Sequence, residues 1–571
     1  MPYQAPLADF QYIYENVLDL SQVIDTETFS ELDAETVSAI LGEAGRLAED
    51  VLHPTNRNGD LDPAKLENGK LRSSPGFAAA FQAIAEGGWV STSASPEHGG
   101  MGLPLSISTA VNEMMAAGNL ALQLNPLLTQ GHIEALEVHA TDDIKDIYLP
   151  KLISGAWSGT MNLTEPQAGS DVGALSTKAE RNEDGSYAIT GQKIFITWGD
   201  TDFTENVCHL VLARLPDGGK GTKGISLFVV PRNIPDANGE PGVANTLKVV
   251  SLEHKLGIHG SPTAVMQYDK ATGWLVGQEH DGMKCMFTMM NNARLGVGAQ
   301  GVGVAEAAYQ HALFYALERK QGRTPVKGQG TIIDHADVRR MLATMKSETF
   351  AARALALECA IALDMGKAAD SADWKSRAAF LTPIAKSFGT DVGIKVAELG
   401  VQVHGGMGFI EETGAAQYSR DVRITSIYEG TNGIQAMDLV ARKMMDDGDA
   451  AYALLEEIES FAESARAVRP RMAEDVWSAT ETLREATEWM VGQKDFNQRF
   501  AGCVPYLNGF ARILGAHYHL KAACAEGHDG PRTRLARFYI NRLLPEHTGL
   551  LAHAMQGAAD LYAISVDDLS I

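Results

Sequence analysis

The chain is poor in cysteine, short of cationic charge and without a long apolar run. Five cysteines are spread over 571 residues, at 208, 285, 359, 503 and 524. No two have the C-x-x-C spacing of a zinc or dithiol site, so they read as reduced thiols of a cytoplasmic protein and no metal is expected. Lys and Arg total 48 against 72 Asp and Glu, a net charge of −24. A nucleic-acid-binding face needs a surplus of cations. The balance argues against nucleic acid as a partner, but not against a local site for a small phosphate-bearing molecule. The longest uncharged stretch, Met114 to Gly131, holds Asn119, Gln123, Asn125, Pro126, Thr129 and Gln130. It is too polar for a membrane span, so no stable membrane anchor is expected. It reads as buried helix and loop beside something that needs polar groups. The opening MPYQAPLADFQYIYENVLDL lacks the basic and apolar regions of a signal peptide. GxxxxGK[ST], HExxH and GxSxG are also missing, which removes P-loop NTPases, zincins and typical serine hydrolases.

What is present is a change of period along the chain. Val37, Ile40, Leu41, Ala44, Leu47 and Val51 recur at three- and four-residue steps after Asp33, a helix face behind an N-cap. From about residue 160 to 277 the pattern becomes short β-branched runs between turn residues, which predict antiparallel strands. Helical spacing returns after Gly282 and persists to Met445. Asp446-Asp-Gly-Asp449 reads as a turn before a last helical segment. The expected fold is α+β and mostly α. It comprises an N-terminal extension (1–32), a helical domain (33–160), a middle antiparallel β-domain (161–278), a helical bundle (279–445) and an additional C-terminal helical domain (446–571).

One motif is deceptive. Gly296-Val-Gly298-Ala-Gln-Gly301 fits GxGxxG, but it stands inside a helical stretch instead of following a strand, so it reads as helix packing. Three constellations carry more. In Met161-Asn-Leu-Thr-Glu-Pro-Gln-Ala-Gly-Ser-Asp171, Thr164, Gly169 and Ser170 offer hydroxyls and backbone N–H groups to a cofactor, or simply join two domains. Val403-His-Gly-Gly-Met-Gly-Phe409 lets a backbone approach a ligand or another chain. In Arg423-Ile-Thr-Ser-Ile-Tyr-Glu-Gly-Thr-Asn-Gly-Ile434, one carboxylate, Glu429, follows an apolar-aromatic run. If desolvated there, its pKa rises and it becomes a base near neutrality; if exposed, it is a surface turn residue.

Taken in order, TEPQAGSD (164–171), GQKIFIT (191–197), Tyr315-Ala-Leu-Glu-Arg-Lys-Gln-Gly322, HGGMG (404–408) and IYEGTNGIQ (427–435) resemble the acyl-CoA dehydrogenase family of flavoproteins. The resemblance spans roughly residues 35 to 445. The extra terminal segments resemble a longer bacterial subgroup, some of whose members act on 3-methylthiopropionyl-CoA. The resemblance implies an FAD enzyme in which Glu429 removes the α-proton of an acyl-CoA thioester, the β-hydride passes to flavin, and an electron-transfer flavoprotein takes the electrons. It places Met161, Leu163, Thr164, Gly169, Ser170, Phe195 and Thr197 along the flavin. It gives Arg319, Gln321, Gln402, Gly405 and Gly406 to the FAD of a neighbouring subunit, and Thr431 and Gly433 to further FAD contacts. Ser170, Asn291, Arg294, Tyr428 and Gly430 fall on the substrate side. Asn291 stands where many relatives carry Asp, and the usual Phe of the turn after Arg319 is missing. The C-terminal addition implies a homodimer. Two other readings are an acyl-CoA oxidase, which uses O2 on the same fold, and a non-catalytic helical scaffold. The final Asp-Asp-Leu-Ser-Ile571 lacks the peroxisomal Ser-Lys-Leu ending, which weighs against the oxidase.

Overall fold

Apolar spacing becomes helix across the first part of the chain. The computed structural model describes residues 3–324 and 326–570. Helix Ala34–Arg46 buries Val37, Leu41 and Ala44, and Asp33 caps it by accepting from the Thr36 N–H at 2.7 Å. Helices His53–Leu61, Phe77–Glu86, Leu105–His139 and Asp142–Ile153 follow. Leu105–His139 is two helices joined at Asn119, whose φ of −158° is not helical. Asn119 Oδ1 accepts from the Leu122 N–H at 3.0 Å, and its amide donates to Thr55 Oγ1 at 2.8 Å. The polar run therefore contains a helix restart with its own N-cap.

The middle sheet has seven strands, Trp157–Asn162, Lys178–Arg181, Tyr187–Thr197, Asn206–Arg214, Ile225–Pro231, Leu247–Leu252 and Thr263–Val276. Thr263–Val276 pairs with Tyr187–Thr197 over one stretch and with Ile225–Pro231 over another. The sheet returns on itself through the Lys178–Arg214 pair. Most pairs are antiparallel. Trp157–Asn162 departs from the expectation by running parallel to Asn206–Arg214 over six residue pairs. Parallel neighbours need a crossover, and the intervening chain supplies both the TEPQAGSD loop and the GQKIFIT strand. A small hairpin, Lys65–Glu67 with Lys70–Arg72, turns at Asn68-Gly69, both at positive φ.

Helices Gly282–Glu318, Ala336–Ala368 and Ala372–His404 form the bundle. The GxGxxG run is a helix crossing, as its surroundings imply. A Cβ on Gly298 would sit 2.8 Å from the Ala385 carbonyl oxygen, and one on Gly389 would sit 2.5 Å from that of Gly298. The C-terminal addition is built from Asp449–Ala465, Pro470–Gly492, Phe496–Glu526, Pro531–Arg542 and Glu546–Ala554. Arg512 on Phe496–Glu526 reaches Glu348 of the bundle at 2.7 Å. The Arg-rich helix Pro531–Arg542 is packed, with Ala536, Tyr539 and Ile540 buried. Among the described residues, no helix is long and apolar enough to cross a membrane.

A buried charge node joins these parts. Arg353 is fully buried and meets Glu113 at 2.6 Å, Glu306 at 2.9 Å and Asp9 at 3.3 Å. Asp9 also pairs with Lys346 and Arg532, each at 2.6 Å. Removing one member of such a node strands its partners in low dielectric. Arg353→Met is therefore expected to destabilise the protein by about 3–5 kcal/mol in denaturant unfolding. A loss below 1 kcal/mol would contradict the role given to this node.

Candidate active site

The 3-10 turn Arg423–Ser426 ends the chain's approach, and helix Asn432–Arg442 begins just beyond it. The gap between them must be crossed by a tight bend. Glu429 and Gly430 make it, with φ of 57° and 85°. Glycine takes such a φ freely, whereas glutamate is strained there and persists only where its surroundings hold it. Gln435 Nε2 donates to the Glu429 carbonyl at 3.2 Å. Lys386 Nζ, fully buried, donates to the Gly430 carbonyl at 3.0 Å and to Asn432 Oδ1 at 2.9 Å. Asn432 Nδ2 donates in turn to Asp391 at 2.7 Å. The Thr431 hydroxyl caps the following helix by accepting from the Ile434 N–H at 3.2 Å, and Gly433 lies in that first turn. Among the described residues the Glu429 N–H has no hydrogen-bond acceptor and is free to serve a ligand.

The electrostatics of this bend are a contest. Burial pushes the Glu429 carboxyl up to about 7, while Arg294 and then Lys386 oppose it. Burial also brings the Lys386 ammonium down to about 8, against the pull of Glu429 and Asp391. Arg294 is buried, 3.6 Å from Asp438, which also pairs with Arg442. Arg294 and the exposed Asn291 border a cleft of about 550 Å³ whose other cations are Lys367, Lys375 and Lys443. Leu363 and Lys367 also border a neighbouring cavity of about 410 Å³, with Gln130, Glu134 and Asn292. In an acidic chain this is a local cationic opening. Of its lysines none was named from sequence, since spacing along the chain does not show which helices converge.

The other expected residues fall into two groups. Met161, Leu163 and Thr164 follow one another at the end of strand Trp157–Asn162, and Gly169 and Ser170 are exposed in the loop beyond. The loop lies against strand Tyr187–Thr197, whose Ile194 N–H donates to the Thr164 carbonyl at 2.9 Å. Glu165 fastens it. Its carboxylate accepts from Lys193 Nζ at 2.9 Å, Ser176 Oγ at 2.7 Å and Thr177 Oγ1 at 2.6 Å. Burial opposes this charge, yet Lys193 and the hydroxyls hold the carboxyl well below its usual range. On the same strand as Thr197, a register shift opposite Ala264 and Met266 bulges the chain and turns Phe195 outward, 59 % exposed at φ 59°. Arg319 and Gln321 follow the end of helix Gly282–Glu318, and Gln402, Gly405 and Gly406 lie at the end of Ala372–His404. Stacking of Tyr315 on His404, centroids 4.4 Å apart, brings these two helix ends together. Gln402 lies sixteen residues beyond Lys386 on the same helix, about 24 Å at the helical rise. The structure thus separates this exposed group from Glu429.

Comparison with known proteins decides the family. Family models match in order: acyl-CoA dehydrogenase N-terminal domain over residues 36–156, middle domain over 160–271 and C-terminal domain over 280–445. An acetyl-CoA dehydrogenase C-terminal-like domain matches 454–565. The chain belongs to the acyl-CoA dehydrogenase family. It is 46 % identical over 520 residues to the 3-methylmercaptopropionyl-CoA dehydrogenase of Ruegeria pomeroyi, covering 89 % of this chain and 88 % of that one. A butyryl-CoA dehydrogenase of Syntrophomonas wolfei is 32 % identical, with 99 % and 98 % covered. Among solved structures, butyryl-CoA dehydrogenase of Megasphaera elsdenii aligns with a TM-score of 0.60 at 27 % identity, over 72 % of this chain and 97 % of that one. Caenorhabditis elegans ACDH-11 in complex with C11-CoA shares the fold over 95 % of this chain and 92 % of its own, with a TM-score of 0.79 at 20 % identity. The family makes this protein an oxidoreductase.

Sequence reasoning missed Lys386 and the Glu165–Lys193 pair. The signal for Lys386 was a lone Lys in the apolar run Phe380-Leu-Thr-Pro-Ile-Ala-Lys386. Lys386→Met removes a cation that favours the charged form of Glu429. The Glu429 carboxyl is then expected to titrate about one unit higher, read by difference infrared spectroscopy. A midpoint that falls or stays would show that Lys386 does not act on the carboxylate.

Proposed function

We propose that this protein is an FAD-dependent acyl-CoA dehydrogenase of short acyl thioesters, with 3-methylthiopropionyl-CoA the first candidate substrate. The observation that carries the reading is Glu429, held in a strained bend with its carboxyl pushed up to about 7 by burial. A free carboxylate is too weak a base for a carbon acid, and desolvation corrects this. Glu429 takes the α-proton while the β C–H pair leaves as hydride, and the α,β double bond forms between the two carbons. The free Glu429 N–H faces the developing enolate oxygen, where one such donor is typically worth about 3–4 kcal/mol. Arg294 and the lysines of the cleft receive the phosphate-bearing end of the thioester. Gly430 and Tyr428 border its path, with Asn291 and Ser170 farther out.

The residues present suit FAD. Phe195 is an exposed aromatic aimed out of the sheet, and a Cβ on Gly169, Gly405 or Gly406 would meet nothing within 4 Å, which leaves room for a ligand. Bound FAD would supply the hydride acceptor. Met161, Leu163, Thr164, Ser170, Phe195 and Thr197 would hold it, with Thr431 and Gly433 beside the base. Arg319, Gln321, Gln402, Gly405 and Gly406 stand too far along their helices to serve the same reacting atoms. They would reach the FAD of a second copy, so the working form is a homodimer. Electrons would leave to an electron-transfer flavoprotein in the cytoplasm. The 46 % identity to the Ruegeria enzyme supports the thioether substrate.

Glu429→Gln is expected to retain FAD and acyl-CoA but to lose flavin bleaching by about 10²–10⁴-fold, the usual weight of a general base. In the wild type the base must be unprotonated, so the rate should rise with pH through about 7. Near-normal bleaching by the variant sinks the assignment. A kcat/KM for 3-methylthiopropionyl-CoA below that for butyryl-CoA would remove the substrate preference. Peroxide release without an acceptor would point to an oxidase.

A further inference from the structure

A line of buried amides runs from the hydroxyl of Tyr428, the residue before Glu429, to the Trp89 carbonyl. The Tyr428 hydroxyl donates to Gln300 Oε1. Gln300 Nε2 donates to Gln123 Oε1 at 2.7 Å, and Gln123 Nε2 to Asn112 Oδ1 at 3.2 Å. Asn112 Nδ2 donates to Gln130 Oε1 at 3.0 Å, and Gln130 Nε2 to the Trp89 carbonyl at 3.2 Å. All four amide side chains are buried. The direction of this line is dictated by its end. A backbone carbonyl can only accept, so Gln130 must present its NH2 to Trp89 and its oxygen to Asn112. Each later amide is then oriented in turn, and Gln300 must present its oxygen to Tyr428. A phenol has one proton, and here that proton is committed to Gln300.

We infer that Gln300, backed by Gln123, Asn112 and Gln130, is a positioning residue that holds the Tyr428 proton away from Glu429, leaving the catalytic carboxylate without a hydrogen-bond donor from its neighbour. The inference rests on Glu429 being the base. The charged groups facing Glu429 are Arg294 from helix Gly282–Glu318 and Lys386 from Ala372–His404. Asp438 and Arg442 stand behind Arg294, and Asp391 behind Lys386. None of them changes when the amide line is cut. The Glu429 charge acts on the Tyr428 hydroxyl, so a Tyr428 proton released from Gln300 and turned toward the carboxylate would favour its charged form and make it a weaker base.

The test is a difference infrared titration of the Glu429 carboxyl in the FAD-loaded protein without substrate, with the band assigned by its loss in Glu429→Gln. Gln300→Met is expected to lower the midpoint by about one pH unit. Adding Tyr428→Phe to Gln300→Met is expected to restore it. Gln123→Met breaks the line one step back and frees the Gln300 amide to invert, so it should lower the midpoint as well. It decides the question if Gln300→Met does not fold. An unmoved midpoint, or a displacement that survives Tyr428→Phe, overturns the inference. Turnover is scored separately. Wild-type protein bleached by no acyl-CoA would overturn the functional reading while the titration still judged the amide line.

Discussion

The close crossing of helices Gly282–Glu318 and Ala372–His404 is the constraint on which the site depends. Glycines meet carbonyls at that crossing, Gly298 against Ala385 and Gly389 against Gly298. With no side chains between them, the two backbones approach far enough for groups one or two turns away to converge. Arg294 and Gln300 stand on one helix within a turn or so of Gly298, and Lys386 stands just before Gly389 on the other. The bend at Glu429 is laid over this convergence. A bulkier residue at the crossing would part the helices and separate the two cations from the carboxylate they oppose.

That convergence makes the Glu429 carboxyl a balance rather than a single effect. Burial raises the carboxyl, and two cations lower it. Either influence alone would spoil the chemistry. Complete desolvation without cations would leave a neutral acid at physiological pH, and full pairing would leave a carboxylate too stable to take a proton from carbon. The strained φ at Glu429 fits the same economy, since Gln435 and Lys386 hold both carbonyls of the bend while its N–H stays free.

The layout was legible in the sequence because each part has its own period. Three- and four-residue steps marked the helices, short β-branched runs between turn residues marked the sheet, and Asp33 marked a cap that the structure contains. Glu429 was legible as one carboxylate in an apolar setting. Of its surroundings, Arg294 came only through the family resemblance, and Lys386 and Gln300 were not named, because these residues converge only after two long helices cross. The parallel placement of Trp157–Asn162 was hidden for a similar reason. A strand's own residues carry its period, but its neighbour's direction is set by the crossover. The uncharged run Met114 to Gly131 reads as serving something polar. It contains a helix cap at Asn119 and two members of the amide line, Gln123 and Gln130, an outcome that composition alone does not specify.

The terminal additions belong to the same physical unit as the catalytic core. Asp9 comes from the N-terminal extension, Glu113 from the first helical domain, Glu306 and Arg353 from the bundle, and Arg532 from the C-terminal addition. Each of these charges would be costly to bury alone, and each is tolerated because the others are present. The basic helix Pro531–Arg542 near the C-terminus is part of this packing. Its Arg532 turns inward, stacking over Tyr12 with 4.7 Å between guanidinium and ring and completing the cage around Asp9. Arg353 stands on the helix that also carries Glu348, and Glu348 takes Arg512 of the C-terminal addition at 2.7 Å. Through these anchor points, and through Arg499, which donates to the Val440 carbonyl of helix Asn432–Arg442 at 3.0 Å, the addition is tied both to the bundle and to the helix that follows Glu429.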